Sequence, residues 1–425
     1  MRKPHTRWSR VTLIGIGASL IVGLFVLAFS WPSVTSSVHG IPVVVAGSGP
    51  AADAVAAQLT QAPAGAGAAG GADAGASGPD AGGSDAGADA ATFVVTRVES
   101  RDDAVTAVES RDAYGAIVVA SVAAASGTGA SGTGASGIAS GTGASGIGTG
   151  TAASGTGAPA APAAAPEVLT ASANGLVVSQ IFTGIAAQIQ AALTEQLTAQ
   201  GVPPAAVPTV EVTDLVPLAA GDPRGTGLST LSFPLVVGGM IGGVVVTLLI
   251  AGVWRRLAAS VVYGLASGVI VVAVTQGWFG VMQGDAVLNV IAVAAAVLAI
   301  TVFIVGMTSL IGPRGIAVGA ILSLLVGNPI SGSAQPWQFL PEPWGAIGQW
   351  FPPGAGATLM RDLAYFPAAS TLFPWLVLAG WIALGVVLSA IGHFRDRALL
   401  ASPAAFEEAP DPASGQSQRL RLKTL

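Results

Sequence analysis

The side chains that carry most enzyme chemistry are sparse in this chain and poorly spaced for it. Cysteine is absent, which removes a thiolate nucleophile, thiolate metal ligands and any disulfide framework. The three histidines, His5, His39 and His393, lie far apart and show no ligand spacing. His393, at the end of the last apolar run, reads as an interfacial residue. The two lysines, Lys3 and Lys423, stand near the two ends of the chain. Neither lies in a Gly-rich loop, so no P-loop is present to cradle a nucleotide phosphate. Serine is plentiful, but no nucleophile elbow or base partner accompanies it. On these grounds no catalytic, cofactor-binding or metal-ligating residue is expected. The distinctive stretch is 328–370, rich in Pro, Gly and aromatic residues, whose chemistry is bending and packing rather than reaction.

Positioning that stretch falls to the apolar runs around it. Five runs, 233–254, 257–276, 287–311, 315–327 and 372–393, carry no Asp, Glu, Lys or Arg in their interiors. The first would be about 33 Å long as a helix, against a hydrocarbon core of roughly 30 Å. A helix covering a soluble core would show a polar face, and these show none. Only 9% of residues are charged and the mean hydropathy is +0.70, as in membrane proteins. The net charge of −5 leaves no basic footprint, so no nucleic-acid partner is expected. We read 233–393 as an α-helical polytopic membrane domain, with the lipid bilayer as its surroundings.

Residues 1–10 are basic, and 11–31 form an apolar run of 21 residues. That is longer than the apolar core of a signal peptide, and Ser30-Trp31-Pro32 is a poor cleavage context. The run is expected as an uncleaved transmembrane helix 1, making six transmembrane helices (1+5). Residues 32–228 are expected as a small extracytoplasmic α/β domain between helices 1 and 2. Its strands are predicted over 41–46, 92–98 and 114–120, with 167–172 as a candidate fourth. Helices are predicted over 51–59 and 100–108, the second opened by Ser100 and Asp103 at capping-box spacing. The string VESRD occurs at 98–102 and again at 108–112, too short for a structural repeat. Over 175–197, Val178, Ile181, Phe182, Ile185, Ile189, Leu193 and Leu197 fall on one helix face, fit to pack on the sheet or to meet a partner helix. Residues 210–218 return as an extended segment. Two low-complexity stretches, 61–90 and the ASGTG repeats of 125–158, cannot bury enough apolar surface to offset chain entropy and are read as disordered inserts.

Charge placement sets the expected orientation. Arg255 and Arg256 fall between helices 2 and 3, Arg314 between helices 4 and 5, and Arg395 and Arg397 after helix 6. Together with the N-terminal cluster they place nearly all flanking positive charge on one side. The other side carries Asp285, Glu342 and Asp362, with Arg361 its one positive residue. Both termini, including the tail 395–425, are then cytoplasmic. Small residues recur at helical spacing in Gly238/Gly242, Gly239/Gly243 and Gly264/Gly268. Such pairs serve close packing, either within one chain or along a dimer seam.

The run 315–327 is short for a span and stops at Asn328-Pro329, where proline lacks the donor to continue a helix. Trp344–Trp350 and Ala357–Phe366 are each expected as short helices, with Pro352-Pro353-Gly354 as the bend between them. A re-entrant segment of this kind must be buried against protein to satisfy its backbone. The other arrangement is a loop lying on the outer leaflet. Asn328, Pro329, Gly332, Trp344, Gly348, Pro352, Pro353, Gly354 and Arg361 are the residues expected to shape this outer segment, 328–366.

One N-terminal helix, an outer α/β domain and five further helices with a structured segment before the last resemble permeases of the type-2 ATP-binding-cassette (ABC-2) class. The branch resembled most is that of the phage-infection-protein-like permeases of actinobacteria and related bacteria. GNPISG (327–332), LPEPWGAIGQWFPPGAGATLMRD (340–362), IPVVVAG (41–47), YGAIVVA (114–120) and DPRGTG (222–227) carry the resemblance. The outer domain is much smaller here than in the longer phage-infection proteins. The resemblance implies a plasma-membrane permease subunit of an exporter for a hydrophobic or amphipathic substrate. It further implies a homodimer or heterodimer, and ATP used only through a separate ATPase docked near Arg255, Arg256 and Arg314. The outer segment would then be a gate. The alternative is a non-transporting membrane protein whose outer domain binds an envelope component or a partner protein.

Overall fold

The computed structural model describes the backbone of residues 36–61, 92–119 and 166–400, with side chains up to Arg395. The expected helix 11–31, the residues before it, nearly all of both inserts and the tail beyond 400 lie outside the described residues.

Five described strands form one sheet: β1 (Ile41–Ala46), β2 (Phe93–Val98), β3 (Gly115–Val118), β4 (Glu167–Thr170) and β5 (Glu211–Asp214), in the order β2-β1-β3-β4-β5. β1 runs parallel to β2 and β3, β3 and β4 are antiparallel, and β4 and β5 are parallel. The extended segment expected at 210–218 thus supplies a fifth strand, shorter than the stretch that suggested it. Helices α1 (Pro50–Thr60), α2 (Arg101–Glu109) and α3 (Leu176–Ala199) complete the layer. The Ser100 hydroxyl oxygen accepts from the Asp103 amide at 3.1 Å, capping α2.

Alternation along β1 divides two cores. Ile41, Val43 and Val45 pack with Ile117, Val168 and the α3 residues Val178, Ile181, Phe182 and Ile185. The expected face of α3 is therefore spent on the sheet from Val178 to Ile189, while Leu193 and Leu197 lie beyond that core. Gly115 lacks a Cβ because one would come within 2.5 Å of the Phe182 ring. Val44 and Ala46 face the other way, into a core shared with Ala104 and Val108 of α2 that continues without a break to Met282, Val293, Met360 and Phe366. One face of the sheet is thus seated on the ends of the long helices.

Those helices are α4 (Thr226–Leu249), α5 (Val253–Val272), α6 (Ala286–Ile311), α7 (Arg314–Ala320), α8 (Trp344–Gly348), α9 (Pro352–Tyr365) and α10 (Leu372–Leu400). The described residues are mostly helical. Among the described residues, five helices are long and apolar enough to cross a membrane: α3, α4, α5 with its continuation, α6 and α10. The chain is a polytopic membrane protein on this basis. Several expected boundaries move. α4 starts at Thr226, where the Asp222 carboxylate accepts from the amides of Thr226 and Gly227 at 3.0 and 2.7 Å. α5 continues as a π-helical turn over Ala273–Trp278, and α7 as one over Ile321–Gly327. α10 runs on to Leu400, past the end of its apolar run.

α6 is the central post. Its 26 residues cover about 39 Å, and α4, α5, α7, α9 and α10 all pack on it. Ala292, Val293, Ala299, Ile304 and Val305 are fully buried on it.

Candidate functional site

Two half-length helices stand where a continuous span would be expected. α7 and its π turn rise along α6 from one end: Gly315 lies against Met307 and Thr308, and Gly319 against Ile304. The turn ends at Gly327, where Phe351 packs on it. α9 takes over and runs the rest of the way. Its Gly356 faces Ala296, which stands about 15 Å along α6 from its first residue. At the other end of α9, Leu363 lies against Gly284, and the Tyr365 hydroxyl donates to the Val281 carbonyl at 2.8 Å. The break between the half-helices is therefore near the middle of α6.

Helix ends at such depth leave backbone groups without partners. Pro352 and Pro353 are the first two residues of α9 rather than a bend before it, a correction to the expectation from sequence. Proline suits these positions because its fixed φ is helical and it has no N–H to orphan. The sharp turn is at Phe351, which is extended. The Ala355 amide already bonds the Phe351 carbonyl. Gly354 lies against the Gly348 carbonyl, closer than a Cβ would allow. Gln349 ties the two sides of the break: its Nε2 donates to the Ser331 carbonyl at 2.9 Å, and its Oε1 accepts from the Thr358 hydroxyl at 2.7 Å. Gly348 packs so tightly that a Cβ there would overlap the Ile330 carbonyl oxygen.

Between the half-helices, residues 328–351 travel out to the sheet and return. Phe339 reaches the sheet core. The Ser37 amide donates to its carbonyl at 3.1 Å, and the Tyr114 hydroxyl donates to Gln338 Oε1 at 2.8 Å. Asn328, Pro329, residues 331–335 and Leu340 face Ser229, Thr230 and Phe233 of α4 across a cleft of about 370 Å³. Asn328, Pro329 and Gly332 line it; Trp344, Gly348, Pro352, Pro353, Gly354 and Arg361 do not. Asn328 is 8% exposed, and its Oδ1 has no hydrogen-bond partner. The buried Arg361 stands behind the cleft wall, its Nη2 donating to the Ser333 carbonyl at 3.3 Å.

A second junction fixes the sheet to α9. Arg111 bonds the Asp362 carboxylate through Nη1 and Asn174 Oδ1 through Nε at 3.0 Å. Its guanidinium also lies 5.5 Å from the centre of the Phe366 ring. Both side chains of the ion pair are largely buried, and Arg111 has a φ of 64°, in the region most non-glycine residues avoid. Sequence reasoning passed over Arg111 because a charge after a helix usually faces solvent. The available signal was Arg361-Asp362, two charges in a stretch otherwise poor in them. Farther out, Arg101 holds Glu167 in a bidentate pair, both contacts at 2.7 Å. That bond, foremost, draws the Glu167 carboxyl below its usual range, with desolvation opposing it and the Thr213 hydroxyl assisting.

The remaining expected residues divide. Arg255 and Arg256 lie in the first turn of α5 rather than in a connecting turn, because Gly252, at φ 91°, has already reversed the chain. Arg256 Nε donates to the Ile250 carbonyl at 2.7 Å, serving the end of α4. Arg314 opens α7, at the same end of α6 as these two. Of the six glycines, Gly239 and Gly243 meet Ile300 and Ile304, Gly242 meets Tyr263, and Gly264 and Gly268 meet Ala294 and its neighbours. Those five serve packing within the chain. Gly238 has open space where a Cβ would be, and its carbonyl accepts from the Tyr263 hydroxyl at 2.7 Å. Trp344 opens α8 and is partly exposed. His39 bonds Ser37, and His393 stacks edge-on with Trp254. Among the described residues no group of three or more His, Asp or Glu is placed to hold a metal ion. Comparison with family models, curated proteins and solved structures returned no match.

Proposed function

We propose that this chain is the membrane-spanning subunit of an exporter for a hydrophobic or amphipathic substrate, energised by a separate ATPase. The observation that carries the reading is the broken helix pair α7–α9 on α6, with α9 buried, α7 exposed along one face, and a cleft of mixed polar and apolar lining beside the break. Non-helical backbone at such depth is tolerated where it is buried in protein or lines a cavity, and broken helices mark binding sites in transporters. The long apolar runs carry no Asp, Glu, Lys or Arg in their interiors, and Asp362 of α9 is held by Arg111 at the sheet end, which supports a route for an uncharged or amphipathic molecule rather than one driven by a proton relay. In this reading the sheet lies outside the plasma membrane and both termini are cytoplasmic. The membrane set is helix 11–31, α4, α5, α6, the α7–α9 pair and α10. Residues 328–351 and α9 form the outer, re-entrant gate, and two copies of the subunit enclose the route. Arg255, Arg256 and Arg314, at the opposite end, are the surface offered to the ATPase.

The test is reconstitution into proteoliposomes with and without an ABC ATPase from the same cell. Outward movement of a fluorescent amphipath is expected only with the ATPase and ATP, and is expected to fall at least tenfold in an Arg255→Glu/Arg256→Glu/Arg314→Glu variant. ATP turnover by the isolated chain, or movement indifferent to ATP, would overturn the reading.

A further inference from the structure

The cleft between α4 and residues 328–335 has a lining that selects among ligands. Among the described residues no charged side chain lines it, so an ionic headgroup entering it would lose water without gaining a counter-charge there. Its surface is mostly apolar, interrupted by polar groups from Ser229, Thr230, Asn328, Ser331, Ser333 and Gln335, as suits the junction between a polar head and an apolar tail. The sense of the hydrogen bonds narrows the choice further. The Ser229 and Thr230 hydroxyls donate to the carbonyls of Gly225 and Gly227 at 3.4 and 3.0 Å. With their protons engaged, these oxygens turn lone pairs outward. The α4 side of the cleft therefore favours a neutral ligand that brings donors, which is the chemistry of a polyol. Phe233, half exposed in the same wall, offers a flat surface to a sugar ring. Beyond it, Ile241, Val245 and Leu248 lie exposed on α4, within about a third of the helix circumference of Phe233. A molecule with its head in the cleft would have an apolar surface beside its tail. The volume falls within the usual range for a small-molecule site.

We propose that this cleft binds the uncharged, hydroxyl-rich headgroup of an amphipath, of the kind a hexosyl diacylglycerol presents. The proposal names a substrate class for the exporter reading and rests on it for its meaning, while its test requires no transport.

The experiment is native mass spectrometry of the full chain, delipidated and exposed to equal amounts of monohexosyl diacylglycerol, diacylglycerol, phosphatidylglycerol and phosphatidylethanolamine. The hexosyl lipid is expected to bind at least tenfold more tightly than the other three. A Thr230→Val/Gln335→Leu variant, altered at positions that are not fully buried, should lose about tenfold of that preference, as expected for two or so hydrogen bonds. Equal binding of diacylglycerol, or equal or tighter binding of either phospholipid, overturns the proposal, as does a variant with unchanged preference. Preferential binding without ATP-dependent efflux would uphold the site and count against the exporter reading. Efflux of amphipaths with no hexosyl preference would do the reverse.

Discussion

At the scale of single residues, charge is concentrated at the contact between sheet and membrane helices. Arg111 and Asp362 form a largely buried pair, and removing one partner strands the other. Arg111→Ala or Asp362→Asn is expected to destabilise the protein by about 3–5 kcal/mol, whereas Arg111→Met/Asp362→Leu should recover much of the loss, because a matched apolar pair leaves no buried charge. Unfolding of the three variants in detergent checks this, and additive losses in the double variant would show the pair to be uncoupled. Glu167 gives a pH-dependent counterpart. Its carboxyl is depressed in the folded protein, so its contribution is present above the unfolded value of about 4.3 and is lost as pH falls through the folded value. Glu167→Gln should therefore flatten the acid limb of the stability profile. An unchanged limb would assign the acid sensitivity to other groups. Neither partnership was legible in the sequence, because Arg111 and Asp362 are separated by most of the chain and Arg101 meets Glu167 across an insert.

At the scale of elements, close backbone approach decides where glycine is required. Gly348→Ala should prevent correct packing of the break, because the added methyl overlaps the Ile330 carbonyl oxygen. Gly238→Ala, in open space, should stay within about 0.5 kcal/mol of the parent. Thermal unfolding of the two variants side by side tests the contrast, and equal effects would contradict it. The long helices were legible because an uncharged run of sufficient length has few alternatives to a span. Their ends were less so. The Asp222 cap extends α4 backwards by several residues, and the π turn after α5 carries that helix two residues past its expected end, to Trp278, whereas the π turn after α7 ends at Gly327, the end of the expected run. The Pro-Pro-Gly string read as a bend is a helix start, because two prolines at an N-terminus favour initiation as readily as they forbid continuation. The broken span itself was not legible: α7 and α9 are joined in space by α6, which no local pattern records.

At the scale of the whole molecule, the sheet is part of one continuous packing arrangement with the helices rather than a tethered module. The shared core from Val44 to Phe366, the Arg111–Asp362 pair and the Tyr114–Gln338 bond give the sheet three separate holds on the segment read as the outer gate. The insert 125–158 is not needed for this. It lies between β3 and β4, which are antiparallel neighbours with Val118 opposite Glu167, so the connection between them has a short gap to close and needs only a few residues. Deleting 125–158 should leave membrane expression and unfolding unchanged, and loss of expression would show the insert to be structural. The orientation of the whole underlies the gate, the cleft and the ATPase surface alike. Because the chain has no cysteine, single Gln335→Cys and Arg255→Cys variants report it directly through a membrane-impermeant maleimide in intact cells. The account predicts labelling at position 335 from outside, and at 255 only after permeabilisation; labelling at 255 in intact cells, with 335 protected, would contradict it.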